Sequence, residues 1–167
     1  EAQLTMAAGN PLKVITVADP TALAETAAER LLARIGANDG RIAICLTGGS
    51  SPKALYQLLA SEPWRVRIPW QRVHWFIGDE RFVPAGDPLH NMSMARRLLL
   101  DRYAPASHIH PIPTDGTDPD VAAERYAREL KSFYGADRLD PDRPLFDLVL
   151  MGVGPDGHTA SLFPNYP

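Results

Sequence analysis

Cysteine is nearly absent from this chain: Cys45, inside "IAICL", is the only one in 167 residues. It can form no internal disulfide, which excludes a disulfide-stapled secreted scaffold and fits a reducing, cytoplasmic setting. An excess of positive charge is also missing. Lys and Arg number 17 against 20 Asp and Glu, a formal net charge of -3, whereas a nucleic-acid partner calls for a basic face. No apolar run approaches the roughly 18 residues of a membrane span, so no membrane partner is expected. The start, at Glu1, lacks the basic-then-apolar pattern of a secretory leader. The five histidines show no metal-ligand spacing such as H-E-x-x-H, so no metal is expected. What is present is an ordinary globular mixture, 45% apolar and 22% charged, sized for one domain with a real core.

Apolar segments alternate between two periodicities. "PLKVITV" predicts an opening strand. "DPTALAETAAERLLARIG" predicts a helix capped by Asp19, with Pro20 in its first turn and Gly36 at its end. "RIAICLTGG" reads as a buried strand and "SPKALYQLLAS" as a helix with a serine cap and Pro52 in its first turn. "RVHWFIGDE" is a third strand. "NMSMARRLLLDRY" is a helix with Met92, Ala95, Leu98 and Leu99 on one stripe. "DPDVAAERYARELKSFYG" is a helix from the Asp118 cap to Gly135, and "PLFDLVLMGVG" a fourth strand. "PAGDPLH" and "HPIPTDGTDP" read as surface loops. Strands alternating with helices imply parallel pairing in an α/β sandwich.

In such sheets ligands bind beyond the carboxyl ends of the strands, and three polar clusters stand there. In "LTGGSSPKALY", Gly48 and Gly49 let backbone amides approach a ligand, Ser50 and Ser51 add hydroxyls, and a helix N-terminus follows. This suits a phosphate, without the Walker A or G-x-G-x-x-G spacing; a plain strand-to-helix turn would use the same residues. In "GDERFVP", Arg81 offers a forked donor that Asp79 or Glu80 can hold, or else forms a surface ion pair. In "LMGVGPDGHTASLFP", Gly152 and Gly154 keep a strand end open and Asp156-Gly157 turns sharply. His158 is expected at the start of a short helix, "HTASLF", whose dipole favours the neutral imidazole of a general base. His74 in a strand, and His90, His108 and His110 in loop-like segments, read as structural or solvated.

Taken in order, "LTGGSSPKALY", "WFIGDERFVP…N" and "FDLVLMGVGPDGHTASLFP" resemble the signature segments of the 6-phosphogluconolactonase family, within the glucosamine-6-phosphate isomerase/6-phosphogluconolactonase superfamily. The resemblance implies a Rossmann-like, mainly parallel sheet with helices on both faces, in three α/β/α layers. It implies a cytoplasmic hydrolase of the oxidative pentose phosphate pathway, opening 6-phospho-D-glucono-1,5-lactone to 6-phosphogluconate without a cofactor. Residue by residue, His158 matches the catalytic base. Gly48, Gly49, Ser50 and Arg81 match the phosphate contacts, and Asp79, Asn91, Gly154 and Asp156 match recurrent pocket positions, Asp156 as an orienter of the imidazole or as a turn former. Ser51 stands where the family often has Thr, and His90 where Ser commonly precedes the Asn. Family members continue past the "SLFP" segment with further strands, helices and a basic phosphate ligand. The expectation is therefore one α/β domain over residues 1–167 that lacks its C-terminal part and has an incomplete site. The alternatives on the same fold are a glucosamine-6-phosphate deaminase or isomerase, disfavoured by "ASLFP" and "DERF", and a non-catalytic sugar-phosphate sensor, disfavoured by the lack of a basic helix pair. Nothing in the sequence fixes the oligomeric state.

Overall fold

In a computed structural model, which describes residues 13–165, the chain builds a four-stranded parallel sheet between two helical layers. The elements run α1 (Pro20–Gly36), β1 (Ile42–Leu46), α2 (Ser51–Leu59), β2 (Val73–Ile77), α3 (Asn91–Leu98), β3 (Ile109–His110), α4 (Pro119–Tyr134) and β4 (Leu148–Val149), with three short 3-10 turns between them. Strand order is β3-β2-β1-β4. The register sets Ile42 beside Val73 and Leu46 beside Ile77, so the two central strands end together.

Strand alternation sorts the core into its two faces. Ile42, Ile44 and Leu46 of β1, with Val73, Trp75 and Ile77 of β2, face α1, α2 and α3; Leu31, Tyr56, Leu59 and Met92 fill this larger core. Ala43, Cys45 and Phe76 point the other way and meet Tyr126, Leu130 and Phe133 of α4. Burial raises the Cys45 thiol to about 12, which leaves it a packing residue and not a nucleophile. The helix ends follow their cap chemistry. Asp19 accepts from the Ala22 amide at 2.9 Å, Asp118 from the Asp120 amide at 2.9 Å, and Gly135 closes α4 with a left-handed φ of 79°.

The structure departs from several of the sequence expectations. The "PLKVITV" strand is not formed: Lys13–Val17 join no ladder, while residues 11 and 12 lie outside the described residues. The strand in "PLFDLVLMGVG" shrinks to Leu148 and Val149, with the Asp147 and Leu150 amides donating to the Ala43 and Cys45 carbonyls of β1 on either side. Ser51, the serine expected to cap α2, is instead its first helical residue, and Ser50 before it has a helical φ/ψ and makes no side-chain cap bond. The segment around His110 is a short strand, not a surface loop: His110 is buried on the α4 side, bonded to His74 at 2.9 Å and to Glu129 at 2.6 Å. Finally, α3 stops at Leu98, so Leu99 enters the core from its C-cap.

Candidate active site

The sheet's carboxyl edge carries a cleft of about 260 Å³, and the three polar clusters meet there. One wall is the β1–α2 turn. Gly49 has a φ of +93°, a conformation that L side chains rarely adopt. At Gly48 a Cβ would lie 2.0 Å from the Asn91 Oδ1, so only glycine lets α3 come this near. Just before the turn, the Tyr56 hydroxyl donates to the Thr47 carbonyl at 2.7 Å and accepts from its amide at 3.1 Å. Burial drives the Tyr56 phenol upward, so it stays protonated. Among the described residues, the amides of Gly49, Ser50 and Ser51 meet no protein acceptor, and they surround the positive end of α2.

The second wall is the segment after β2. Asp79 and Arg81 line the cleft, and Arg81 is exposed. Among the described residues no carboxylate pairs with the Arg81 guanidinium, so neither Asp79 nor Glu80 holds it as the sequence suggested. Asp79 instead accepts from the Ser161 hydroxyl at 2.6 Å, which ties this wall to the histidine loop. Glu80 turns inward to the start of α3. The buried Asn91 side chain donates to the Asp79 carbonyl at 3.1 Å, and the histidine before it, His90, is the N-cap of α3, accepting from the Ser93 amide at 3.1 Å.

The third wall is the loop after β4. The expected helix at His158 is absent; residues 159–162 close a tight turn by mutual backbone bonds between Thr159 and Leu162, with Ala160 at a φ of 51°. A helix dipole therefore does not act on His158. The ring is placed by other contacts. Its Nδ1 lies 2.5 Å from the Asp156 Oδ1, its face stacks on Phe163 at 4.7 Å, and it lies over Gly154, where a Cβ would come within 2.1 Å of Cε1. The hydrogen bond from His158 holds the Asp156 carboxyl below its usual range. With Nδ1–H directed at Asp156, Nε2 is the nitrogen left to take a proton.

Gly48, Gly49, Ser50, Ser51, Asp79, Arg81, Asn91, Gly154 and His158 thus line a single cleft, and Asp156 stands behind His158 without lining it. Sequence reasoning missed Ser161, although "ASLFP" contains it, and misassigned Glu80. Both act through folded contacts that no local spacing announces. Among the described residues, no group of three or more His, Cys, Asp or Glu is placed to hold a metal ion, and no helix is long and apolar enough to cross a membrane.

Comparison with known proteins gives the cleft a context. The family described as glucosamine-6-phosphate isomerases/6-phosphogluconolactonase matches residues 18–167. The chain is 45% identical over 132 residues to 6-phosphogluconolactonase of Synechocystis sp., covering 78% of this chain and 52% of that protein. It is 40% identical over 151 residues to the protein of the same name from Nostoc sp., covering 88% and 60%. The solved 6-phosphogluconolactonase from Trypanosoma cruzi superposes with a TM-score of 0.78 at 32% identity, covering 91% of this chain and 62% of that one. The chain therefore spans between half and two thirds of the length of these relatives. With a family match over nearly all of its length and the three polar clusters gathered at one sheet edge, the chain belongs to the glucosamine-6-phosphate isomerase/6-phosphogluconolactonase family.

Proposed function

We propose that this chain carries the active site of a 6-phosphogluconolactonase, hydrolysing 6-phospho-D-glucono-1,5-lactone to 6-phosphogluconate as a cytoplasmic enzyme without a cofactor. The observation that carries the reading is the Asp156–His158 pair, 2.5 Å apart, on one side of a cleft whose other walls hold the α2 N-terminus and Arg81. The names of the relatives in Synechocystis and Nostoc point the same way.

In this reading the substrate phosphate sits against the amides of Gly49, Ser50 and Ser51, with Arg81 as the facing cation. The lactone ring then extends toward His158. Nε2 takes a proton from a water, and the water oxygen bonds to the lactone carbonyl carbon, whose π electrons move onto its oxygen. Donors of the glycine turns or Arg81 meet that oxyanion. As the tetrahedral centre collapses, the bond from carbon to ring oxygen breaks. The proton on Nε2 passes to that leaving oxygen, which becomes a hydroxyl, and the new carboxylic acid ionises. Asp156 keeps Nδ1 as the protonated nitrogen throughout, so Nε2 alone shuttles the proton.

The test is hydrolysis of the phosphorylated lactone by wild type, His158→Ala and His158→Asn, with spontaneous hydrolysis subtracted. Loss of the general base should lower turnover about 10²- to 10⁴-fold; unchanged turnover would remove His158 from the mechanism.

A further inference from the structure

Glu80 stands apart from the cleft, yet it is the most enclosed carboxylate beside it. Its side chain is 1% exposed, while the next residue, Arg81, lies open to solvent. One carboxylate receives three backbone amides. Oε1 accepts from Arg81 at 2.9 Å and from Asn91 at 2.6 Å, and Oε2 accepts from Met92 at 2.8 Å. Two of these amides open α3, whose positive end favours the buried negative charge. The third belongs to the cation of the cleft itself. Asn91, held at its amide, carries the constraint onward: its side chain donates to the Asp79 carbonyl at 3.1 Å and its Oδ1 abuts Gly48. A single buried group thereby joins the β2–α3 wall to the glycine turn.

We propose that Glu80 is a positioning residue for phosphate recognition. It fixes the Arg81 backbone relative to Asn91 and the β1–α2 turn, so that the Arg81 guanidinium meets a phosphate already held by the turn amides. This rests on the reading of Arg81 as the cation that faces the phosphate. A carboxylate is required because three donors converge on two oxygens. A glutamine offers one oxygen, and its NH2 would face an amide N–H, leaving a donor without an acceptor.

A double-mutant cycle separates positioning from a purely structural cap. Calorimetry on the full chain, with 6-phosphogluconate and unphosphorylated gluconate as probes, gives a preference ratio for wild type, Glu80→Gln, Arg81→Ala and the double variant. Glu80→Gln should cut the ratio about tenfold, as expected when a charge-assisted contact is displaced. In the Arg81→Ala background it should change the ratio less than about twofold, because the contact it positions is already gone. Glu80→Asp, which keeps the charge with a shorter reach, should fall between wild type and Glu80→Gln, and it carries the test if Glu80→Gln does not fold. Equal weakening of both ligands, or full additivity with Arg81→Ala, would overturn the proposal while leaving the role of Arg81 intact. An unchanged ratio in Arg81→Ala alone would overturn both together.

Discussion

Gly154→Ala isolates the placement of His158 from its chemistry. The backbone at Gly154 needs no left-handed conformation, so an alanine there is not strained by its own φ. The added Cβ, however, would sit 2.1 Å from Cε1 and 2.2 Å from Nδ1 of His158. Ordinary van der Waals contact begins near 3.4 Å, so ring and methyl must separate by about 1.3 Å. The ring also stacks on Phe163 and is tethered to Asp156 at Nδ1. A shift of that size disturbs those contacts. Displacement of a reacting group by about 1 Å costs roughly 10²-fold in rate. We therefore expect Gly154→Ala to lower lactone turnover about 100-fold. The loop lies outside both core clusters, so the melting temperature should change by less than about 2 °C. Turnover within threefold of wild type in a variant with unchanged melting would refute the packing of His158 over Gly154. A melting temperature lowered by 10 °C would instead mean that the loop is part of the core.

Other perturbations reach different parts of the molecule. Arg81→Ala should weaken binding of 6-phosphogluconate by about 1.5–3 kcal/mol, the value of a charge-assisted contact, and leave gluconate nearly unaffected; calorimetry with both ligands reads this. Asp156→Asn should lower turnover about 10²- to 10⁴-fold, because an amide can present its NH2 to Nδ1 and favour the wrong tautomer; rates between pH 5 and 9 test it. Tyr56→Phe removes both bonds to Thr47 and should destabilise the fold by about 1–3 kcal/mol in urea unfolding, since two backbone groups lose a buried partner. Burial, with His108, His110 and Arg41 nearby, pushes His74 down to about 4. The unfolded chain, with His near 6.5, therefore binds more protons than the folded one between about pH 6.5 and 4. Stability should fall on acidification through that window, and His74→Gln should flatten the slope of urea midpoint against pH.

Much of this arrangement was legible in the sequence, and the exceptions share a cause. The caps at Asp19 and Asp118 and the stop at Gly135 are local chemistry, so α1 and α4 fall where they were predicted. The strand ends also marked the three cleft walls, because glycines and polar residues follow β1, β2 and β4. His110 was unreadable for the opposite reason. Its strand is two residues long and exists only through pairing with Trp75 and Phe76, a contact between distant segments. "HTASLF" has helix-compatible composition, yet the Thr159–Leu162 bonds and the Ser161–Asp79 contact hold it as a tight turn. Glu80 looked like a partner for Arg81 because they are adjacent. The three converging amides that claim its carboxylate come together only when α3 packs behind β2.

The central claim is that His158, oriented by Asp156 in this cleft, activates water against a phosphorylated lactone. The most direct measurement compares wild type with His158→Asn in the full chain, both shown to be folded by thermal melting. Disappearance of 6-phosphogluconolactone is followed against its spontaneous hydrolysis. Wild type should catalyse the reaction, and His158→Asn should run at or near the spontaneous background while still binding 6-phosphogluconate. Equal catalysis by the two proteins, or none by a folded wild type, would contradict that claim.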